Sequence, residues 1–378
     1  MGERRFDIDW LRNLGILLLF PFHSARVFDY WDPFYVKSAE LSWGLSWFIA
    51  VTSYWFMPLL FWLAGSASWY ALERRSNRQY MKDRVNRLLI PLIVGVLFIV
   101  PPQGYFARLN HNGEGGNYFS FLKTFFTDFS DLSGYFGTFT PAHLWFILYL
   151  FVLSLAALPI FSFFRKRNFE KFNEVCSRPS VFIALFLLLV VTEALPAPGG
   201  QNPFFFLVIF IMGFITSSQP SYQKMFNRVR GMGLVVLLVT VPLWVFLLTK
   251  DFQGAGFLLA VLKTFNLWLT LIVLLGYGNK FLNFKHKAIP YMNEAAFPVY
   301  IIHQSVLVVM GYFILKLNLG NILAFLIIMV LTFVISLLIY EFIIKRLAIL
   351  RWAFGVKVKP AAVQKQNIEV NREIGKEL

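Results

Sequence analysis

The stretch FDIDWLRNLGILLLFPFHSARVF, from Phe6 to Phe28, decides the fold, because it is apolar enough to enter a bilayer. It nevertheless carries Arg12 near one end and His23 well inside. On a helix these two residues lie roughly 16 Å apart along the axis, at about 1.5 Å per residue. An ionisable residue at membrane depth is costly and by default marks a functional site. The stretch therefore predicts a membrane helix with a reaction path running along it.

The whole chain has the composition of a multi-pass membrane protein. Of its 378 residues, 58% are hydrophobic and 19% are aromatic, and apolar runs of about 20 residues recur from end to end. The sequence predicts an all-α, polytopic integral membrane fold with about ten transmembrane helices. The predicted spans are 7–28, 43–70, 88–106, 143–164, 181–196, 203–218, 231–249, 257–277, 295–315 and 321–344.

The positions of the basic residues predict the topology. If the N-terminus is cytoplasmic, 28 of the 35 lysines and arginines fall in inside segments and seven fall outside, as the positive-inside rule requires. Both termini are therefore predicted to be cytoplasmic, in a multi-pass membrane protein. The same rule accounts for the net charge of +15, so we do not expect nucleic acid as a partner.

Two regions are predicted along the chain: a membrane domain over residues 1–346, and a basic cytoplasmic tail over 347–378 that is expected to be flexible. The chain has one cysteine, Cys176, so neither an intramolecular disulfide nor a cysteine metal cluster can form. We expect no metal site. The motifs of serine-nucleophile elbows, phosphate-binding glycine loops, zinc proteases and dinucleotide folds are missing from the sequence. Any phosphate must therefore be bound by arginines.

The outside face carries one long loop and a group of aromatic residues. The loop 107–142 is rich in Gly, Asn, Asp, Ser and Phe, and loops of this length commonly bind or cover something. Tyr30, Trp31 and Tyr35 gather on the same face. Such aromatics either anchor the chain at the membrane interface or stack on a sugar.

Two histidines inside predicted spans could carry proton transfer. His23 lies about 20 Å from the cytoplasmic start of its helix, and histidine is the side chain best suited to accept a proton near neutral pH. His303 lies in the ninth span with Gln304 and Ser305 beside it, which favours a polar lining. Alternatively, each histidine is a structural residue that a neighbouring helix satisfies. His143 opens the fourth span at the outer interface and is an acceptor-side candidate only.

Three arginines lie on the side predicted to be cytoplasmic. Arg12 is spaced to pair with Asp9 on one helix face, either as a helix anchor or as a cationic group at the mouth of a cavity. Arg84 and Arg87, in KDRVNRLLIP, also share a face. Arginine binds phosphate bidentately through its planar fork. Taken alone, however, this pair is more typical of topology charge.

Four motifs together resemble a known family. IDWLRNLGILLLFPFH places an arginine and, after ten residues, a histidine, which here are Arg12 and His23; Arg84-Val-Asn-Arg87 is an arginine-x-x-arginine motif; FPVYIIH ends in His303; and HLWFILYL contains a mid-domain tryptophan. These segments are similar to those of acyltransferase family 3, bacterial integral-membrane enzymes that include sugar O-acetyltransferases and glucan-succinylating proteins. The resemblance extends to about residue 346.

The resemblance implies transfer of an acyl group, acetyl or succinyl, from cytoplasmic acyl-CoA to a hydroxyl of an extracytoplasmic carbohydrate or glycolipid of the cell envelope. Arg84 and Arg87 would bind the CoA phosphates, and His23, Arg12 and His303 would form the catalytic set. His23 would act as a general base or become transiently acylated. Two other hypotheses remain: a transporter or flippase of a lipid-linked or small anionic substrate, with histidines in a proton relay, and a non-catalytic scaffold or sensor.

Overall fold

The computed structural model describes residues 4–113, 115–167, 169–249 and 256–357. Within these residues the chain is helical and contains no β-strand, which confirms the all-α prediction. The helices are α1 (Phe6–Arg26), α2 (Trp43–Glu73), α3 (Asn77–Asn112), α4 (Tyr118–Phe125), α5 (Ala142–Ala156), α6 (Leu158–Lys166), α7 (Glu170–Cys176), α8 (Pro179–Glu193), α9 (Pro203–Ser217), α10 (Pro220–Thr249), α11 (Gly256–Leu282), α12 (Ile289–Leu315), α13 (Asn321–Ile344) and α14 (Ala348–Ala353).

Six of these helices are long and apolar enough to cross a bilayer: α2, α3, α10, α11, α12 and α13. The number rises to eight if each of two bent pairs is one span, α5 with α6 at 43° and α7 with α8 at 80°. The protein is therefore a multi-pass membrane protein. Each of the ten apolar stretches that the sequence singles out does contain a helix. The count of ten spans and the cytoplasmic location of the termini stay predictions.

Helix α1 lies inside the bundle, packed against α2, α11, α12 and α13. It runs parallel to α12, because equivalent positions of the two helices meet at both ends. At one end Arg12 and Asn13 donate hydrogen bonds to Asn293 Oδ1, at 2.8 and 2.7 Å. At the other end, about 15 Å further along both axes, the ring of His23 meets that of His303. The first and twelfth helices thus meet in one polar contact at each end.

Two glycines allow α2 to touch α9 backbone to backbone. A Cβ added at Gly65 would lie 2.0 Å from the carbonyl oxygen of Phe210, and one at Gly213 would lie 2.0 Å from that of Trp62. No side chain fits at either position. The hydroxyl of Ser66 also bonds to the carbonyl of Gly213 at 3.1 Å. Small residues at such crossings are typical of helix pairs in membranes, and here they fix α9 against the bundle.

Helix α3 departs twice from regular α geometry, over Val85–Leu89 and Gly95–Ile99, where it takes π-helical turns. Each π turn ends two residues before a proline, Pro91 or Pro101. Proline lacks the N–H that would continue the regular ladder, so the backbone around it must redistribute its hydrogen bonds. One π turn contains Arg87, and the other lies against the histidine-bearing helices.

The segment predicted as a long outside loop is partly helical and folds over the loop 27–42. Within the predicted loop 107–142, α3 runs on to Asn112 and α4 adds two turns. The Tyr35 hydroxyl bonds to the Ser133 carbonyl at 3.2 Å, and His111 Nε2 lies 2.9 Å from the Phe34 carbonyl. Tyr35 is therefore buried, with 1% of its surface exposed. Both roles offered for it from the sequence, an interface anchor or a ring that stacks on a sugar, are wrong for Tyr35, because its ring is buried and its phenol joins the two loops.

The predicted tail 347–378 begins as an ordered segment. Helix α14 lies at its start, and the Arg351 guanidinium bonds to Glu294 of α12 at 3.2 Å and to the carbonyl of Lys357 at 2.6 Å. The rest of the tail, residues 358–378, lies outside the described residues. The division of the chain into a domain and a flexible tail stays a prediction.

Candidate active site

Three histidines from distant parts of the chain meet in the bundle. The rings of His23 on α1 and His303 on α12 lie 5.3 Å apart between centroids, and His143 at the start of α5 lies 5.0 Å from His303. His303 is fully buried, and His143 is 6% exposed. His303 is thus the middle member, with a second imidazole on either side.

Backbone carbonyls fix the protons on two of these rings. His303 Nδ1 lies 2.6 Å from the Tyr300 carbonyl, and His143 Nε2 lies 3.0 Å from the Ile301 carbonyl. A carbonyl only accepts, so each of these nitrogens carries the proton and donates. The other nitrogens, His303 Nε2 and His143 Nδ1, then hold free lone pairs, and both are buried without a hydrogen-bond partner. His23 Nδ1 is likewise buried and unpartnered.

His143 is held by a strained turn. The preceding residue, Ala142, has φ of +49°, a left-handed conformation that alanine rarely adopts. Its N–H donates to Thr140 Oγ1 at 2.9 Å, and the hydroxyl of Tyr300 donates to the carbonyl of His143. The sequence offers His143 only as an acceptor-side candidate at the interface. Sequence reasoning did not predict the two hydrogen bonds with α12 that bring this histidine into the cluster.

The opposite end of α1 carries the Arg12 guanidinium. Its Nη2 contacts Asp9 at 3.0 Å, which confirms the expected pair, and Asn293 of α12 at 2.8 Å. About a third of the side chain stays exposed, whereas Asn13 beside it is 2% exposed and its Oδ1 has no partner. Arg12 is therefore not brought to the histidines. It lies about 16 Å from them along the helix.

The two arginines of α3, Arg84 and Arg87, differ in their contacts. Arg84 donates to Ser68 Oγ at 2.9 Å and to the Tyr80 hydroxyl at 3.0 Å, and its guanidinium lies 4.5 Å from the centre of the Tyr80 ring. Arg87, within the π turn, makes no hydrogen bond or ion pair in the part of the chain that the structure describes. Arg84 thus already hydrogen-bonds within the protein, whereas the guanidinium of Arg87 stays available to a ligand.

Comparison with known proteins identifies the family. A family model described as an acyltransferase domain matches residues 5–341. The chain belongs to this acyltransferase family. Similar proteins include glucans biosynthesis protein C of Salmonella paratyphi B, 24% identical, and the proteins of that name from Salmonella heidelberg and Salmonella typhi, each 25% identical. Each alignment covers 94% of this chain and 96% of the relative. Among solved structures, none matches. The protein is thus a membrane enzyme that transfers acyl groups.

The acyltransferase also holds a buried cation next to His23 that sequence reasoning counted only as an outside charge. Arg26, 7% exposed, pairs with the fully buried Asp29 at 3.0 Å. The ammonium of Lys37 approaches the same carboxylate at 3.3 Å. Burial lowers the pKa of Lys37, and the charge of Asp29 opposes that shift. The spacing of Arg26 three residues after His23 was the available signal, since the two share one face of α1.

A buried amide network supports the histidine helix of the acyltransferase. Gln103 of α3 donates to Ser305 Oγ at 2.8 Å, and Gln304 donates to Gln103 Oε1 at 3.0 Å. Ser305 in turn donates to the Ile99 carbonyl at 2.5 Å, at the end of the π turn. The polar neighbours expected around His303 are therefore present, but they bond to α3 rather than to the imidazole. They hold α12 at a fixed rotation against α3.

Proposed function

We propose that this acyltransferase moves an acyl group, acetyl or succinyl, from acyl-CoA on the cytoplasmic side to a hydroxyl of an extracytoplasmic carbohydrate or glycolipid. The observation that carries the proposal is the cluster of His23, His303 and His143. His303 and His143 each present a lone pair without a partner inside a buried site, and Nδ1 of His23 is likewise buried and unpartnered. Such a lone pair can take the proton of a hydroxyl group.

The reaction we propose joins the acceptor oxygen to the acyl carbonyl carbon. As the carbon–oxygen bond forms, the carbon–sulfur bond of the thioester breaks, and the hydroxyl proton passes to His23 and then to the departing CoA thiolate. In the variant route His23 first takes the acyl group and then gives it to the acceptor. His303, 5.3 Å away, would receive or return the proton in either route. The buried Arg26 guanidinium is placed to stabilise negative charge on the carbonyl oxygen.

The other end of the path would bind the donor. Arg87 and the partly exposed Arg12 offer guanidinium groups for the CoA phosphates, and Arg84 supports the same surface through Tyr80 and Ser68. The axial separation of about 16 Å between Arg12 and His23 is of the order of the pantetheine arm. A donor bound at the arginines could therefore present its thioester to the histidines.

The acceptor side is proposed from topology and from the relatives. The excess of basic residues on one side favours cytoplasmic termini and, with the histidines at the far end of α1, an acceptor that arrives from outside. The similar proteins are named for glucan biosynthesis, which supports a carbohydrate acceptor. We propose ten spans in the bacterial plasma membrane for this arrangement.

The test is turnover of radiolabelled acetyl-CoA and succinyl-CoA by the purified protein in proteoliposomes, with and without glucose oligosaccharides. His23→Ala and Arg87→Ala are measured beside the wild type. We expect His23→Ala to lose turnover and Arg87→Ala to bind the donor more weakly. A wild type that neither binds nor consumes any acyl-CoA would exclude this donor, and proton-coupled transport would then become the leading hypothesis.

A further inference from the structure

A group of aromatic rings lies at the surface where the chain leaves α1. We call Tyr30, Trp31, Trp43 and Trp47 the aromatic platform. Tyr30 and Trp43 stack at 4.5 Å between ring centres with an angle of 20°, and Trp47 stacks on Trp43 at 6.3 Å. Trp31 meets Trp43 and Trp47 edge-on, at 5.8 and 5.2 Å. Despite these contacts Tyr30, Trp31 and Trp43 remain 45%, 41% and 54% exposed.

The platform is rigid because hydrogen bonds to buried groups hold it. The indole N–H of Trp31 donates to the Ser46 carbonyl at 2.7 Å, and the backbone N–H of Tyr30 donates to Ser46 Oγ at 3.0 Å. Ser46 is fully buried. The carboxylate of Asp29 accepts the backbone N–H of Trp31 at 2.8 Å. The rings are therefore ordered before any ligand arrives, which lowers the entropy that binding would cost.

The same loop, residues 27–42, connects the platform to the histidines. Phe34 is buried at 2% exposure and lies over the His23 ring, nearly parallel at 16° and 6.3 Å between centres. The guanidinium of Arg26 lies 5.8 Å from the centre of the same Phe34 ring. A molecule seated on the platform therefore rests on the loop that covers the reactive end of α1.

Polar groups beside the rings favour a sugar over lipid. Asp32 follows Trp31 directly in the chain and its side chain is 70% exposed, and Glu40 is a second exposed acidic residue of the same loop. Carboxylates accept hydrogen bonds from sugar hydroxyls but are repelled by anionic lipid headgroups. A tryptophan that anchors a chain at the membrane interface donates its indole N–H to the hydrated headgroup region. The indole N–H of Trp31 is instead bonded inside the protein.

We infer that the aromatic platform is a binding site for the acceptor glycan, in which sugar rings stack on Trp43 and Trp31 and hydroxyls bond to Asp32. The inference rests on the proposed function for the chemistry of the acceptor. It goes further by naming the surface that binds the acceptor before transfer. The rings of a neutral glucose chain fit this surface, since each offers an apolar face and several hydroxyl groups.

The experiment titrates the purified protein in lipid nanodiscs with cellohexaose and laminarihexaose while tryptophan fluorescence is recorded. No acyl donor is present. We compare Trp43→Ala, Trp43→Phe and Asp32→Asn with the wild type. Phe257→Ala is the matched control, since Phe257 is a 77% exposed aromatic at the start of α11. Oligosaccharide-dependent release of CoA from acyl-CoA is then measured separately for each variant.

We expect saturable binding by the wild type, a dissociation constant about tenfold higher for Trp43→Ala, and recovery to within about threefold for Trp43→Phe, which keeps a ring face. The KM for the oligosaccharide should rise in parallel, with a smaller change in kcat. Binding without any transfer would support the platform while refuting the proposed reaction. The inference would be overturned if the wild type showed no saturable binding, or if Trp43→Ala bound the oligosaccharides as tightly as the wild type. It would also be overturned if the only effect of Trp43→Ala were a loss of thermal stability in lipid, and the platform would then be a membrane anchor.

Discussion

The imidazole of His23 lies 5.3 Å from that of His303, centre to centre, although the first ring belongs to α1 and the second to α12. About 15 Å away along the same two helices, Arg12 and Asn293 meet at 2.8 Å. The two helices therefore share a cationic end and an imidazole end. This arrangement suits a reaction in which an anionic donor and a neutral hydroxyl approach from opposite sides.

The first prediction concerns the histidine at this contact. Replacing His23 by Ala should reduce acyl transfer about 10²–10⁴-fold, the usual contribution of a positioned acid–base group. The dissociation constant for acyl-CoA should change by less than about twofold, because the proposed donor site lies at the other end of α1. Transfer is measured by thin-layer separation of labelled product, and donor binding by equilibrium filtration.

The control for this substitution is His286→Ala, which removes an exposed histidine from the segment before α12. It should retain wild-type transfer. If His23→Ala transfers acyl groups as fast as the control, the imidazole of His23 has only a structural role. Transfer lost together with donor binding would instead indicate that the substitution disturbs the whole path.

The second prediction separates the two arginines of α3. Arg84 bonds to Ser68 and Tyr80, so Arg84→Ala should lower the unfolding temperature as well as donor affinity, because two buried hydroxyl groups lose a charged partner. Arg87→Ala should weaken acyl-CoA binding about tenfold, as expected for one lost charge-assisted contact, with little change in unfolding temperature. Binding isotherms and thermal unfolding are measured on the same preparations.

Arg78→Ala is the matched control, because Arg78 is an exposed arginine earlier on the same helix. It should change neither quantity. Equal donor affinity for Arg78→Ala and Arg87→Ala would show that the arginine pair serves topology alone, as its sequence pattern by itself suggests.

Sequence reasoning predicted the helical class and the polar ends of α1, and it could not predict how the helices meet. The charge of Arg12 and the depth of His23 can be read from hydrophobic periodicity and helix rise. The approach of His143 to His303 depends on a backbone carbonyl of α12 and on the left-handed Ala142. Neither has a signature in residue type, since any residue supplies a carbonyl and alanine rarely adopts that conformation.

The loops 27–42 and 107–142 show that burial in loops could not be predicted either. Tyr30, Trp31 and Tyr35 look alike in sequence, yet Tyr35 is buried under the second loop while the other two stay exposed. What separates them is the contact of Tyr35 with Ser133, a pairing between loops about a hundred positions apart. The buried ion pair of Arg26 with Asp29 was also read as ordinary outside charge, because burial cannot be inferred from residue type at the end of a helix.

The third prediction tests how closely the histidines must be held. Gly95 lies in a π turn of α3, and a Cβ there would come 2.5 Å from Leu144 Cδ1 and 3.5 Å from Ile301 Cγ2. Leu144 follows His143 in the chain, and the carbonyl of Ile301 accepts the hydrogen bond from His143. Gly95→Ala should therefore displace the buried Leu144 side chain beside His143, cost about 1–3 kcal/mol of stability through overpacking, and lower kcat more than it changes donor affinity.

Gly231→Ala is its counterpart, since a Cβ at Gly231 in α10 meets nothing within 4 Å. The alanine should raise stability slightly, by up to about 1 kcal/mol, through helix propensity. Thermal unfolding and steady-state kinetics distinguish the two. A Gly95→Ala enzyme with unchanged kcat would mean that transfer tolerates movement of His143, and the role of that histidine would be reduced to packing.

The fourth prediction concerns the carboxylate that organises the loop over His23. Asp29 is fully buried, pairs with Arg26 and Lys37, and accepts the N–H of Trp31. Asp29→Asn keeps the shape but removes the charge, which leaves Arg26 with the exposed Asp32 at 3.4 Å and the carbonyl of Pro33 at 3.1 Å. Breaking a buried ion pair typically costs about 3–5 kcal/mol. We expect a lower unfolding temperature and a higher KM for the acceptor, since Phe34 and the aromatic platform lose their common support.

The control is Glu40→Gln, which removes an exposed carboxylate of the same loop and should leave the unfolding temperature unchanged. An Asp29→Asn protein that unfolds at the wild-type temperature would show that Lys37 and Arg26 are held by other contacts and that the loop does not depend on this charge.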